Sequence, residues 1–233
     1  MKQILSFIKN QWVEILFWLQ IIMSWIYTIP LVIQIISGKT GGLNLATYSI
    51  YLIYLGLSLS LAFSSFFSLK KEIGNLPNFQ QQKALKARKQ TIIIFSQWAF
   101  LVSLVLLFGL RNIVWKERDT VICLIILVLS LLTLIKYKGL KDPYSKGFLN
   151  VWCKSVPQLW LGYTIFADAS SEGLPFLTLF FGYLTALQRL IQVWIAGRRG
   201  IWDKSTKGLM MGEGSNVLSW SIVVVLWVVF RLN

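Results

Sequence analysis

The chain has 233 residues, 56% of them hydrophobic and only 14% charged, with a net charge of +14 and a mean hydropathy of +0.64. A soluble domain is nearer half apolar and about a quarter charged, so these values exclude a soluble fold and leave no room for a second, soluble domain. The positive charge does not point to nucleic acid, because Lys and Arg flank apolar stretches instead of gathering on one face among base-stacking aromatics.

A membrane-crossing helix needs about 20 apolar residues to cover roughly 30 Å of hydrocarbon. Seven stretches are predicted as spans: Trp12–Ile36, Asn44–Leu69, Thr91–Leu110, Val121–Ile135, Phe148–Ala167, Leu174–Ala196 and Asn216–Phe230. The fourth and seventh are short. The first follows Lys2 and Lys9, as a signal peptide would. Its apolar stretch is longer than the roughly 7–15 residues of a signal core and no small-x-small cleavage site follows, so a retained span is expected. It carries Pro30, and a break at Ser37–Leu43 leads into the aromatic-rich second span. The third holds Gln97-Trp98. The fourth is Ile/Leu/Val-rich with almost no polar side chains, as suits a linker facing lipid. The fifth holds Lys154 and Pro157-Gln158, and a break at Asp168–Leu174 leads into the sixth, which holds Arg189. The seventh opens with Asn216 and carries Trp220.

Loop charges give an orientation. On the side of the N-terminus lie Lys2 and Lys9, six basic residues in the loop that holds Lys70 and Lys89, four at Lys136, Lys138, Lys141 and Lys146, and four at Arg198, Arg199, Lys204 and Lys207. The opposite side has Lys39, Arg111, Lys116, Arg118 and Arg231. The positive-inside rule then places the N-terminus in the cytoplasm and, after seven spans, the C-terminus outside.

The halves repeat weakly. Ile29-Pro30 followed by Gly42-Leu43 corresponds to Val156-Pro157 followed by Gly173-Leu174, Thr47 to Thr178, and Gln97-Trp98 to Ser219-Trp220. The distance from Pro to Gly differs by four residues between the halves. Three spans per half is an odd number, so one extra span is needed for the copies to run parallel, and Val121–Ile135 supplies it. A Pro-Gln pair, a break ending in Gly-Leu and a following aromatic span resemble the PQ-loop superfamily, which includes the SWEET (MtN3)-like transporters. The first half departs from the pattern, with Leu after Pro30 and Gln34 one turn later. Members of that group typically have an external N-terminus, opposite to the charge reading here. The resemblance implies an all-α polytopic membrane protein of seven helices in a 3+1+3 arrangement: a three-helix unit over 12–110, a linker helix over 121–135 and a second unit over 148–230.

The candidate site follows. In SWEET-like transporters the pocket is built from Asn and Trp of the second and third spans of each half, which selects Trp98, Asn216 and Trp220. Gln158 and Gln97 supply amides that could bind solute hydroxyls. An isolated Trp or Tyr is otherwise accounted for by an interfacial belt. Pro30 and Pro157 each remove a backbone hydrogen bond and are candidate hinges, or else static kinks. Lys154 and Arg189 sit at comparable depth inside spans. An intramembrane cation costs at least about 2.5 kcal/mol on insertion scales, so each either attracts an anion into a cavity or snorkels to the interface. No carboxylate falls plainly at mid-membrane, which gives little support to proton coupling.

With two span-bound cysteines and no His, zinc, a His relay and a catalytic triad are excluded. No cofactor, metal or enzymatic activity is expected. The expected function is movement of a small polar solute (a sugar, amino acid or vitamin-like metabolite) by alternating access between the two bundles. The alternative is a receptor or sorting protein on the same fold. The expected partners are the solute and the lipid bilayer, without nucleic acid, and the expected location is a bacterial inner (plasma) membrane.

Overall fold

The computed structural model describes residues 2–73, 79–140, 142–199 and 202–232. Lys141, one of the basic residues used for orientation, lies outside them. The described residues form α1 (Lys2–Ile36), α2 (Leu45–Ile73), α3 (Phe79–Asn112), α4 (Glu117–Lys136), α5 (Pro143–Asn150), a π turn (Val151–Ser155), α6 (Val156–Ala167), α7 (Phe176–Arg199) and α8 (Lys204–Leu232). Six of these, α1 to α4, α7 and α8, are long and apolar enough to cross a membrane. The fifth predicted stretch is a continuous rod from Pro143 to Ala167, interrupted by the π turn.

Local chemistry sets several element boundaries. Asp142 caps α5 by accepting from the N–H of Tyr144 and Ser145 at 2.7 and 3.3 Å, and Pro143 sits in the first turn, where its missing N–H costs nothing. Asn44 caps α2 by accepting from Thr47 N at 2.8 Å. The π turn lies just before Pro157, which has no N–H to offer the preceding turn. The ladder widens there, with Val156 N bonding Val151 O.

The helices are longer than the apolar stretches suggest, most of all α8. Its first turns carry Gly208, Gly212 and Gly214, and the expected seventh span began only at Asn216. These glycines do not mark a loop. A Cβ on Gly208 would lie 2.5 Å from Pro143 O, one on Gly147 2.4 Å from Gly208 O, and one on Gly212 2.4 Å from Asn150 Nδ2. The missing side chains let α5 and α8 touch backbone to backbone, the small-residue packing of membrane helices.

In the first half, α3 packs against both α1 and α2; in the second, α8 packs against both the α5–α6 rod and α7. The halves meet where α1 packs on α7 and α2 on α6. One apolar core runs through both, with Leu31, Ile35, Leu101, Leu161, Ile165, Leu174 and Val223 fully buried. The outer faces are also apolar. On α4, Val121, Leu124, Leu127, Leu131, Leu132 and Ile135 are all more than half exposed or at its edge, Ile135 at 73%. Such a surface suits hydrocarbon and not water, and the molecule is an integral membrane protein by this criterion. The inner side of α4 meets α2, α5 and the π turn. Its few polar groups are used there: Thr133 Oγ1 accepts from Trp152 Nε1 at 2.9 Å, and Asp119 Oδ1 accepts from Trp160 Nε1 at 2.9 Å.

Candidate functional site

The two Gly-Leu breaks pack on one another. Gly173 N donates to Gly41 O at 2.9 Å, and Gly42, at φ +77°, lies so close to Ser170 that a Cβ would stand 2.2 Å from its carbonyl oxygen. Gly42 therefore answers two demands, left-handed backbone and close approach. Leu43 and Leu174 point into the core, and Asn44 Nδ2 donates to Thr164 Oγ1 at 2.9 Å. This end of the bundle is filled by apolar side chains, among them Leu31, Ile35 and Ile165.

The threonines that the sequence aligns, Thr47 and Thr178, make reciprocal bonds. Thr47 Oγ1 of α2 donates to Pro157 O at 2.8 Å, and Thr178 Oγ1 of α7 donates to Tyr27 O at 2.7 Å. Each joins the second helix of one half to the first helix of the other. The residues before the two tryptophans also act alike. Gln97 Nε2 donates to Ser24 Oγ at 2.6 Å and Ile21 O at 3.0 Å, while Ser219 Oγ donates to Gln158 Oε1 at 2.6 Å.

Below the filled end lies a cavity of about 70 Å³ between the halves, room for several water molecules or the polar part of a small solute. Of the sequence-selected residues, Gln158, Trp98, Asn216, Trp220, Pro157, Lys154 and Arg189 line it. Gln97 and Pro30 do not: Gln97 ties α3 to α1, and Pro30 sits half-buried within α1. Tyr27 stands between the two tryptophans, its ring centroid 5.5 Å from Trp98 and 6.2 Å from Trp220, both edge-on. Tyr51 meets Trp98 edge-on at 6.4 Å. Gly182 holds the place opposite Trp220, where a Cβ would lie 2.7 Å from the indole.

The polar floor differs from the sequence expectation. Glu213, 4% exposed, lines the cavity, and Lys154 Nζ bonds its Oε2 at 2.9 Å. Asn150 Nδ2 lies 3.4 Å from Glu213 Oε1, and Asn216 Nδ2 lies 3.5 Å from Oε2. A carboxylate is therefore buried inside a span. The predicted seventh span, starting at Asn216, left Glu213 outside it because the glycine-rich segment before it reads as a loop; the close α5–α8 packing places Glu213 within α8. Lys154 is likewise not snorkelling: its side chain is 12% exposed and turned inward by its pairing with Glu213. Arg189 has no hydrogen bond or ion pair among the described residues. A second hollow, lined by Phe17, Thr91 and Gln192, shares Gln20, Ile94 and Arg189 with the cavity and leads toward the starts of α1 and α3.

Of the other aromatic side chains in the spans, Tyr51 lines the cavity, whereas Trp160 stacks on Tyr163 at 4.8 Å near the start of α4, and Trp194 is 43% exposed beneath Arg198. Sequence reasoning missed Tyr48, Tyr54 and Glu213. A period of three to four residues along Thr47, Tyr48, Tyr51, Tyr54 and Leu55 was a legible sign of one buried face.

Outside the spans, Asp168 receives Lys116 Nζ at 2.8 Å and Arg118 Nη2 at 2.5 Å. Burial pushes its carboxyl up, but the hydrogen bonds and charges of Lys116 and Arg118 outweigh that and hold it below the ordinary value of 3.8. The bridge fastens the start of α4 to the end of α6.

No family model, curated protein or solved structure matches the chain.

Proposed function

We propose that the chain is a transporter that moves a small polar solute by alternating access, with α1–α3 and α5–α8 as two parallel units and α4 as the linker, in the manner of the PQ-loop and SWEET-like superfamily. The observation that carries the reading is one cavity lined from both halves, closed at the Gly-Leu end and continued by a second hollow at the other. The same helix order in each half and the reciprocal Thr47 and Thr178 bonds support two equivalent units. Buried polar side chains in a bilayer are stabilised by facing such an interior. With the N-terminus cytoplasmic, the closed end is external and the cavity faces inward. The bacterial inner membrane remains the expected setting.

Gln158 is the residue to test. Its Oε1 accepts from Ser219, whose hydroxyl also lies 2.9 Å from Asn216 O, so its loss costs about 1 kcal/mol of stability. Gln158→Leu is expected to abolish flux of solute into proteoliposomes with folded yield nearly unchanged. Normal flux through the variant refutes the assignment, and solute binding without flux in the parent chain favours a receptor on this fold. Reporter fusions at Lys83 and Arg118 are expected to report cytoplasm and exterior; the reverse result inverts the proposed orientation.

A further inference from the structure

We infer that the cavity takes a small hydroxylated carboxylate carrying a single negative charge, with Arg189 as its ion partner; this rests on the cavity being the solute site proposed above. Three charged side chains line the cavity: Lys154, Glu213 and Arg189. Lys154 and Glu213 neutralise each other at 2.9 Å. That leaves Arg189, which lies near enough to Glu213 for their charges to interact but makes no hydrogen bond or ion pair of its own among the described residues, so the lining carries one net positive charge.

A cation held inside a bilayer needs a counter-charge or water. A guanidinium offers a planar fork that fits a carboxylate through two parallel hydrogen bonds. One uncompensated charge matches a monoanion. A neutral sugar or a zwitterion would leave the charge standing, and a dianion would overshoot it.

A second observation sets the rest of the solute. Asn216 is 1% exposed and lines the cavity, yet its Oδ1 accepts no hydrogen bond. A buried acceptor without a donor is costly. A hydroxyl on the solute would supply that donor without adding charge, which an ammonium would not. The four tyrosines and Trp98 of the first half give the opposite wall, against which the carbon skeleton packs.

The test uses the full chain in a neutral detergent. Its thermal unfolding is measured with lactate, glycerate and gluconate, with the neutral counterparts lactamide, glycerol and glucose, and with zwitterionic serine. Hydroxy acids are expected to raise the midpoint, and the neutral compounds and serine are not. Arg189→Gln is expected to weaken hydroxy-acid binding at least about tenfold, and Arg189→Lys, which keeps charge but not the fork, by less. Equal stabilisation by neutral compounds or serine, no stabilisation by any carboxylate, or unchanged affinity in Arg189→Gln overturns the inference. If Arg189→Gln does not fold, unchanged affinity in Arg189→Lys overturns it and weakened affinity supports it. Proteoliposome flux is scored separately. Carboxylate binding without flux leaves this inference standing and removes the transporter reading, whereas flux of neutral solutes alone does the reverse.

Discussion

The two halves share a plan and differ in what they give the cavity. From α1–α3 come Tyr27, Tyr48, Tyr51, Tyr54 and Trp98, with no charge at all. From α5–α8 come Lys154, Arg189 and Glu213, together with Gln158 and Asn216. The backbone differs in the same sense. Pro30 sits in a helix that stays α-helical throughout, whereas Pro157 follows a π turn that carries Lys154. The helix packing and the crossed threonine bonds are thus alike on the two sides while the walls differ. One wall supplies most of the aromatic surface, and the other supplies Trp220 and all of the ions.

That division can be broken at the Lys154–Glu213 pair, where the largest effect is expected. Glu213→Gln leaves a buried ammonium without its counter-charge, a loss of roughly 3–5 kcal/mol. Thermal unfolding in detergent should show a large fall in the single variant and recovery of most of it in Lys154→Met/Glu213→Gln. A single variant as stable as the parent would mean that water already solvates the pair.

The seating of α8 on α5 comes next. Gly147→Ala forces a methyl against Gly208 O and is expected to cost about 1–3 kcal/mol, read as a lower unfolding midpoint. Gly56→Ala in α2, where an added Cβ meets nothing within 4 Å, serves as the control and is expected to change little. Equal losses at both would show that the backbone contact is not what sets the cost.

The prolines sharpen the comparison between halves. If the π turn and Pro157 form the working hinge, Pro157→Ala should reduce flux by about tenfold, equivalent to roughly 1.4 kcal/mol on the barrier. Pro30→Ala should reduce it less. Equal reductions would make the hinge a property of the repeat and not of the second half.

The smallest effect concerns Asp168. Its carboxyl is held below its ordinary value, so the bridge to Lys116 and Arg118 contributes stability in full well above pH 3.8 and loses it as the pH falls through the lowered value. Asp168→Asn should therefore lower the unfolding midpoint at pH 7, by no more than about 1 kcal/mol for a partly exposed bridge. The gap between parent and variant should narrow as the pH falls below the ordinary carboxyl value of 3.8. A gap that stays constant with pH would assign the effect to packing.

Composition and hydropathy determined a great deal without any structure. Helices covering stretches this apolar must face lipid or each other, because a bilayer leaves no other way to satisfy the backbone. The pairing of Gly42-Leu43 with Gly173-Leu174 and of Thr47 with Thr178 rests on short local patterns, and the structure adds that the two breaks pack on one another and that both threonines bond across the halves. Gln158 could be selected because an amide beside a helix-breaking proline stands out in an apolar chain, whereas Trp98, Asn216 and Trp220 were selected through the resemblance to the SWEET-like pocket. Tertiary packing decided the rest. Glycines at 208 and 212 carry opposite meanings in a loop and at a tight helix crossing, and only the presence of α5 distinguishes them. For the same reason the burial of Glu213, its pairing with Lys154 across 59 residues of sequence, and the place of Arg189 in the same cavity without a hydrogen bond of its own could not be read from spacing. Whether a charge has a partner depends on which helices meet, and that is settled by three-dimensional packing, not by order along the chain.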